Sequence, residues 1–113
     1  MIHGEWVTCT IASGKTSTEC DLGRVYQKVM VYLPTLAQTG TNTVAVQGAK
    51  YSGDTAKDIY TYNPADGAVD KMITENTAGD VMVVFPIGGF QFIKFVCGEN
   101  QTSETIYCCG VRS

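Results

Sequence analysis

Thr10-Ile-Ala-Ser-Gly-Lys-Thr-Ser-Thr-Glu-Cys-Asp-Leu-Gly23 sets two short runs of small, β-branched and apolar residues on either side of a Gly-Lys pair. Gly at the first central position suits a two-residue type II′ turn. In that register Ser13 faces Thr16 and Cys9 lands opposite Cys20. Val7, Cys9 and Ile11 then share a face with Thr18, Cys20 and Leu22. The other end of the chain has the same character. Gly89-Phe-Gln-Phe-Ile-Lys-Phe-Val-Cys-Gly-Glu-Asn-Gln-Thr102 leads into Thr105-Ile-Tyr-Cys-Cys-Gly-Val111. Both ends therefore read as β-strand and turn.

Between them the pattern continues. Strands are expected over residues 5–11, 16–22, 27–33, 42–49, 58–62, 69–74, 80–85, 91–97 and 104–111, eight or nine in all. Val29, Val31 and Leu33 alternate with Lys28, Met30 and Tyr32, the period of a strand with two distinct faces. Val81-Met-Val-Val-Phe85 is apolar on both faces and reads as a central, doubly covered strand. The aromatic run from Phe90 to Cys97 breaks a single alternation, which places a bulge or bend near Ile93-Lys94. Ser52-Gly-Asp54, Asn63-Pro-Ala-Asp-Gly67, Ala78-Gly-Asp80, Gly88-Gly89 and Gly98-Glu-Asn100 punctuate the strands. Pro34 ends the third strand, because it cannot donate to a ladder. No window has sustained helical periodicity, although residues 35–38 fit one short turn. Many short strands at this spacing imply an all-β chain: a two-sheet antiparallel β-sandwich of jelly-roll type, forming one domain over residues 1–113.

Composition agrees. Fourteen threonines and 12 glycines favour pleated surface and turns. Charged residues are only 17% of the chain, which leaves much neutral surface able to pack against neighbours. The net charge is −3 and the eight basic residues are scattered, so neither a nucleic-acid footprint nor a polybasic membrane patch is present. The longest apolar run, residues 81–87, is too short to span a bilayer as a helix. Met1-Ile-His-Gly-Glu-Trp6 lacks the charged and apolar regions of a signal peptide, so synthesis in a cytoplasm is expected.

Candidate chemistry is sparse. His3 is the sole histidine, and no G-x-S-x-G elbow accompanies it, so no catalytic residue is assigned and the chain is expected not to be an enzyme. The five cysteines, at positions 9, 20, 97, 108 and 109, have no CxxC pair or zinc-type spacing. In a reducing compartment they are buried free thiols, with a Cys9–Cys20 disulfide as the open alternative. Cys108 and Cys109 point to opposite faces of a strand. Asp54, Asp58, Asp66 and Asp70 offer hard oxygens to calcium, but they equally suit turn formation, and no calcium-loop motif is present. Gly88-Gly89 leads into a strand rather than a helix, so it offers no phosphate cradle. Trp6, Tyr26, Tyr32, Tyr51, Tyr60 and Tyr62 are candidates for a sugar-stacking platform, or for core and subunit-interface positions. No cofactor-binding or metal residue is assigned.

Several ordered elements carry a family likeness. They are Thr10-Ile-Ala-Ser-Gly14, Asp21-Leu-Gly23, Val29-Met-Val-Tyr-Leu-Pro34, Val44-Ala-Val-Gln47 with Gly53-Asp54, Phe85-Pro86 and Phe90-Gln-Phe-Ile-Lys-Phe95. Together they resemble a group of small β-sandwich structural proteins of tailed-phage virions. The chain departs from that group in a shorter segment at residues 98–103 and in its five cysteines. The resemblance implies a non-enzymatic capsid decoration protein, or a head- or tail-associated one, that stabilises the capsid lattice by repeated contacts. Its implied partners are the major capsid protein or another virion protein, together with further copies of itself. Its implied place is the virion, after assembly in the host cytoplasm. A small glycan- or protein-binding module, tail-associated or used in host adhesion, is the alternative.

Overall fold

The computed structural model describes residues 2–37, 42–74 and 79–112. Within them the chain is all-β and antiparallel. Its strands are β1 (Ile2–His3), β2 (Val7–Thr16), β3 (Cys20–Leu33), β4 (Val44–Ala49), β5 (Lys57–Asp58), β6 (Tyr60–Asn63), β7 (Ala68–Lys71) and β8 (Val81–Arg112). β6 and β7 form a separate two-stranded hairpin, and the other six belong to one sheet.

β8 organises that sheet in three legs. Residues 81–86 run beside β3, from Val81 opposite Leu33 to Pro86 opposite Lys28. Residues 92–97 run beside β4, from Phe92 opposite Ala49 to Cys97 opposite Val44. Residues 101–108 pair with β2, and residues 107–111 pair again with β3, on its other side. Glycines make the corners. Gly88 and Gly89 have φ of 74° and 119°, conformations that L side chains rarely adopt, so β8 turns there without ending. Buried amides hold the second corner. The Asn42 carboxamide oxygen accepts from the Gly98 and Glu99 amides, and Gln101 exchanges bonds of 2.7 and 2.8 Å with the Ala37 backbone.

Several expectations need correction. The hairpin at Gly14-Lys15 does not form, because β2 runs through Gly14 to Thr16 and takes β8 as its partner. In the ladder Cys9 accordingly lies opposite Ile106, although its thiol still meets that of Cys20 in the core. Of the expected strand at 16–22, Thr16 ends β2 and residues 20–22 run on into 27–33 as one strand, bent where the register shifts between Asp21 and Tyr26. Gly23, with φ of 88°, lies in that shift. No bulge occurs at Ile93-Lys94, since the β4 register is continuous there. Ile93, Phe95 and Cys97 are buried inward, and Phe90 closes the other side by lying on Gly48. Most consequentially, residues 81–85 are not a central strand. β3 is their only ladder partner among the described residues. Of the expected turns, 35–38 and 78–80 fall partly outside the described residues.

The core gathers from β2, β3, β4 and β8. Val29, Val31, Leu33, Val44, Val46, Ile93, Phe95 and Ile106 are fully buried there. Each such side chain contributes roughly 1.5–3 kcal/mol, against about 1 kcal/mol for a typical hydrogen bond. The inward rows therefore set the register, and backbone pairing follows.

Candidate interaction surface

The outer face of β3 is built by the residues that alternation turns away from the core. Tyr32 stands between Met82 on one side and Tyr107 on the other, and Met30 stands between Val84 and Cys109. Residues directly opposite in a ladder share a face. The result is two adjoining apolar rows across three strands. Met82, Val84 and Tyr107 are 58%, 57% and 44% exposed. Trp6, 50% exposed, lies just before Val7, which pairs with Cys108, and extends the patch toward β2. The Tyr32 and Tyr107 rings pack with centroids 6.3 Å apart. Beside this face the strand 81–86 presents an edge with no described ladder partner.

Polar groups rim the patch. The Tyr32 hydroxyl donates to Asp80 at 3.0 Å, and that hydrogen bond to a carboxylate pushes the phenol above its usual range. Cys109 is closed off from the open rows, since its thiol donates to the Gly4 carbonyl at 3.2 Å and is fully buried.

The other aromatics disperse. Tyr26 is in the core, where a Cβ at Gly110 would overlap its ring. Tyr60 and Tyr62 lie two apart on the β6–β7 hairpin, both exposed, with Tyr62 opposite Val69. They line a groove of about 330 Å³ together with Ile59, Pro86, Ile87 and Phe90. The six aromatics singled out in the sequence therefore form no single platform.

The aspartates are spread likewise. Asp58 accepts from Gln47 at 3.0 Å and pairs with Lys71 at 3.5 Å, and the Gln47 bond holds its carboxyl below the usual range. Asp66 accepts from the Ala68 amide, and Asp70 from Asn63. Among the described residues the four do not converge on a cation position. His3 lines a shallow cleft of about 510 Å³ with Glu5, Asp21 and Arg24, and that lining contains no Ser, Thr or Cys.

One cluster does converge. The sulfurs of Cys9, Cys20 and Cys108 lie within 4.8 Å of one another, all buried. Hydrogen bonds from the Cys108 and Cys20 thiols pull the Cys9 thiol below its usual pKa, against the effect of burial. Cys108 is pushed up because it donates to both neighbours. The sequence singled out Cys9 and Cys20 as neighbours in a hairpin that does not form. Cys108 carried no signal, because a spacing of 9, 20 and 108 resembles no ligand motif.

No protein-family model matches the chain, and no curated protein sequence matches it. Among solved structures, the fold is similar to that of the SPBc2 prophage-derived protein YomS. The TM-score is 0.57 at 14% identity, covering 97% of this chain and 95% of that one. At that identity the likeness is one of fold.

Proposed function

We propose that this chain is a non-enzymatic structural protein of a phage virion, acting through repeated protein–protein contacts made by the outer face of β3. One observation carries the reading. The segment at 81–85 is apolar on both faces, as a doubly covered strand is, yet Met82 and Val84 on its outer face are exposed and one edge has no ladder partner among the described residues. Contiguous exposed apolar surface on a small protein marks a contact site. Tyr, Trp and Met are the residues that interface centres favour. A partner strand added to the open edge would satisfy its backbone groups while Met82 and Val84 fill the partner's apolar surface. The likeness of fold to a prophage-derived protein supports a phage origin. The way β3 and β8 each serve partners on two sides supports a two-layer, jelly-roll-like sandwich.

The finer reading is capsid decoration. An interface of ordinary size, about 800 Å² on each partner, repeated by symmetry over a lattice, resists internal pressure by the number of its contacts. The partner is then the major capsid protein, with copies of this chain arranged by the same symmetry. Co-sedimentation with undecorated heads tests it. The wild type is expected to bind saturably at a fixed copy number per capsomer. Met82→Lys/Val84→Lys is expected to lose that binding while keeping its thermal midpoint, since both side chains are more than half exposed. Saturable binding that the double variant retains would sink the assignment of this face, and no binding at all would sink the capsid reading.

A second reading, a glycan- or protein-binding module, is favoured by the exposed Tyr60 and Tyr62 beside their groove. Stacking on sugars would use those rings. A glycan array on the wild type and on Tyr62→Ala separates the two readings.

A further inference from the structure

Two consecutive strands and the distant β8 each deliver one thiol to the same buried point. Cys9 comes from β2, Cys20 from the first residue of β3, and Cys108 from the last leg of β8. They are 2%, 0% and 0% exposed, and their sulfurs lie within 4.8 Å of one another. We propose that these three thiols form a closed site for a thiophilic divalent d¹⁰ ion, Zn(II) or its analogue Cd(II), bound as a trigonal thiolate complex that ties β2, β3 and β8 together.

The geometry fits such an ion. Metal–sulfur bonds of about 2.3 Å hold three thiolates in a plane about 4 Å apart, inside the spacing already present. The donor set is sulfur alone, with no carboxylate or imidazole in the group, which selects soft ions over calcium or magnesium. Charge decides the valence. Three thiolates around a divalent ion leave one residual negative charge, whereas a monovalent ion leaves two, and apolar surroundings favour the smaller. The Ser17 hydroxyl lies against Cys9. It accepts from the Phe95 amide and donates to the Thr18 carbonyl, both at 2.9 Å, so it is fixed as an outer group beside the site. Binding displaces the thiol protons to solvent, so affinity falls as pH is lowered.

Two further cysteines supply internal controls. Cys97 and Cys109 are buried but stand outside the cluster. The test is a Cd(II) titration of the full chain, metal-free and reduced in deoxygenated buffer, read by sulfur-to-cadmium charge-transfer absorbance and by the thermal midpoint. Saturation at one ion per chain with a rise in midpoint is expected, and Cys97→Ala should leave both unchanged. Cys20→Ala should abolish the band. Cys9→Ser, nearly the same size, should do so in a chain whose circular dichroism confirms its fold. The proposal is overturned if the folded, reduced wild type gives no band. It is equally overturned if the band survives both Cys9→Ser and Cys20→Ala, or if the chain purified without oxidant carries a Cys9–Cys20 disulfide.

Discussion

On the inner face of β3, Val29, Val31 and Leu33 are sealed from water by β2, β4 and β8. On the outer face of the same strand, Met30 and Tyr32 stand in rows with Met82, Val84 and Tyr107, and those rows are open. The inner face is purely aliphatic and the outer one mixes Met, Val and Tyr, so both carry apolar area, but only the inner one is buried. Apolar character therefore says that a face will be covered, and the fold says whether this chain does the covering itself. Where it does not, the function proposed above assigns the cover to another molecule.

Substitutions on the two faces should separate stability from association. The largest loss belongs to the inner face: Leu33→Ala should destabilise the chain by about 2–5 kcal/mol, because it empties a fully buried position. Met82→Ala, which removes a similar apolar side chain from an exposed position, should stay within about 0.5 kcal/mol in chemical denaturation. Equal losses at the two sites would break the comparison.

A smaller effect is expected at the root of the open strand. Gly79 has φ of 88°, and a Cβ there would overlap the Pro34 carbonyl. The left-handed backbone alone costs an L residue about 1–2 kcal/mol. Gly79→Ala should therefore cost at least that much, and raise amide exchange across residues 81–86 more than across the inner legs of β8. Uniform exchange would mean that the edge is no more independent than the core.

The smallest effect is electrostatic. Tyr32 donates to Asp80, so its folded-state pKa is raised above the unfolded value. Stability from this bond is full below the unfolded pKa and is lost as pH rises through the folded one. A spectrophotometric titration should find a tyrosine ionising above the usual value near 10. Asp80→Asn should bring it back toward that value. A partner docked on the outer face should raise it further by excluding water.

The strands themselves were readable from local pattern. The alternation of Val29, Val31 and Leu33 holds, and the Asn63–Gly67 turn closes with a 2.9 Å bond from the Gly67 amide to the Asn63 carbonyl. Partnership was not readable, because any β-branched run pairs equally well with a neighbour in sequence or with one ninety residues away. That is why Gly14-Lys15 looked like a hairpin turn, and why Val81–Phe85 looked central. The interaction surface was half legible. Its apolar residues were visible in the sequence, but their exposure depends on which strands flank β3. The thiol cluster was half legible too: Cys9 and Cys20 were brought together from local pattern, whereas Cys108 joins them only through the long-range pairing of β8 with β2.

The placement of β8 has a kinetic consequence. β1, β2, β3 and β4 all take ladder partners from β8, and among the described residues the strand pairs that close locally are β4–β5 and the β6–β7 hairpin. A nascent chain that has emerged only as far as residue 80 holds its apolar strands without the segment that completes them. Folding of this kind is slow, since long loops must close before burial rewards them. It begins in earnest only once β8 has emerged, and until then the exposed strand edges are open to the wrong partners.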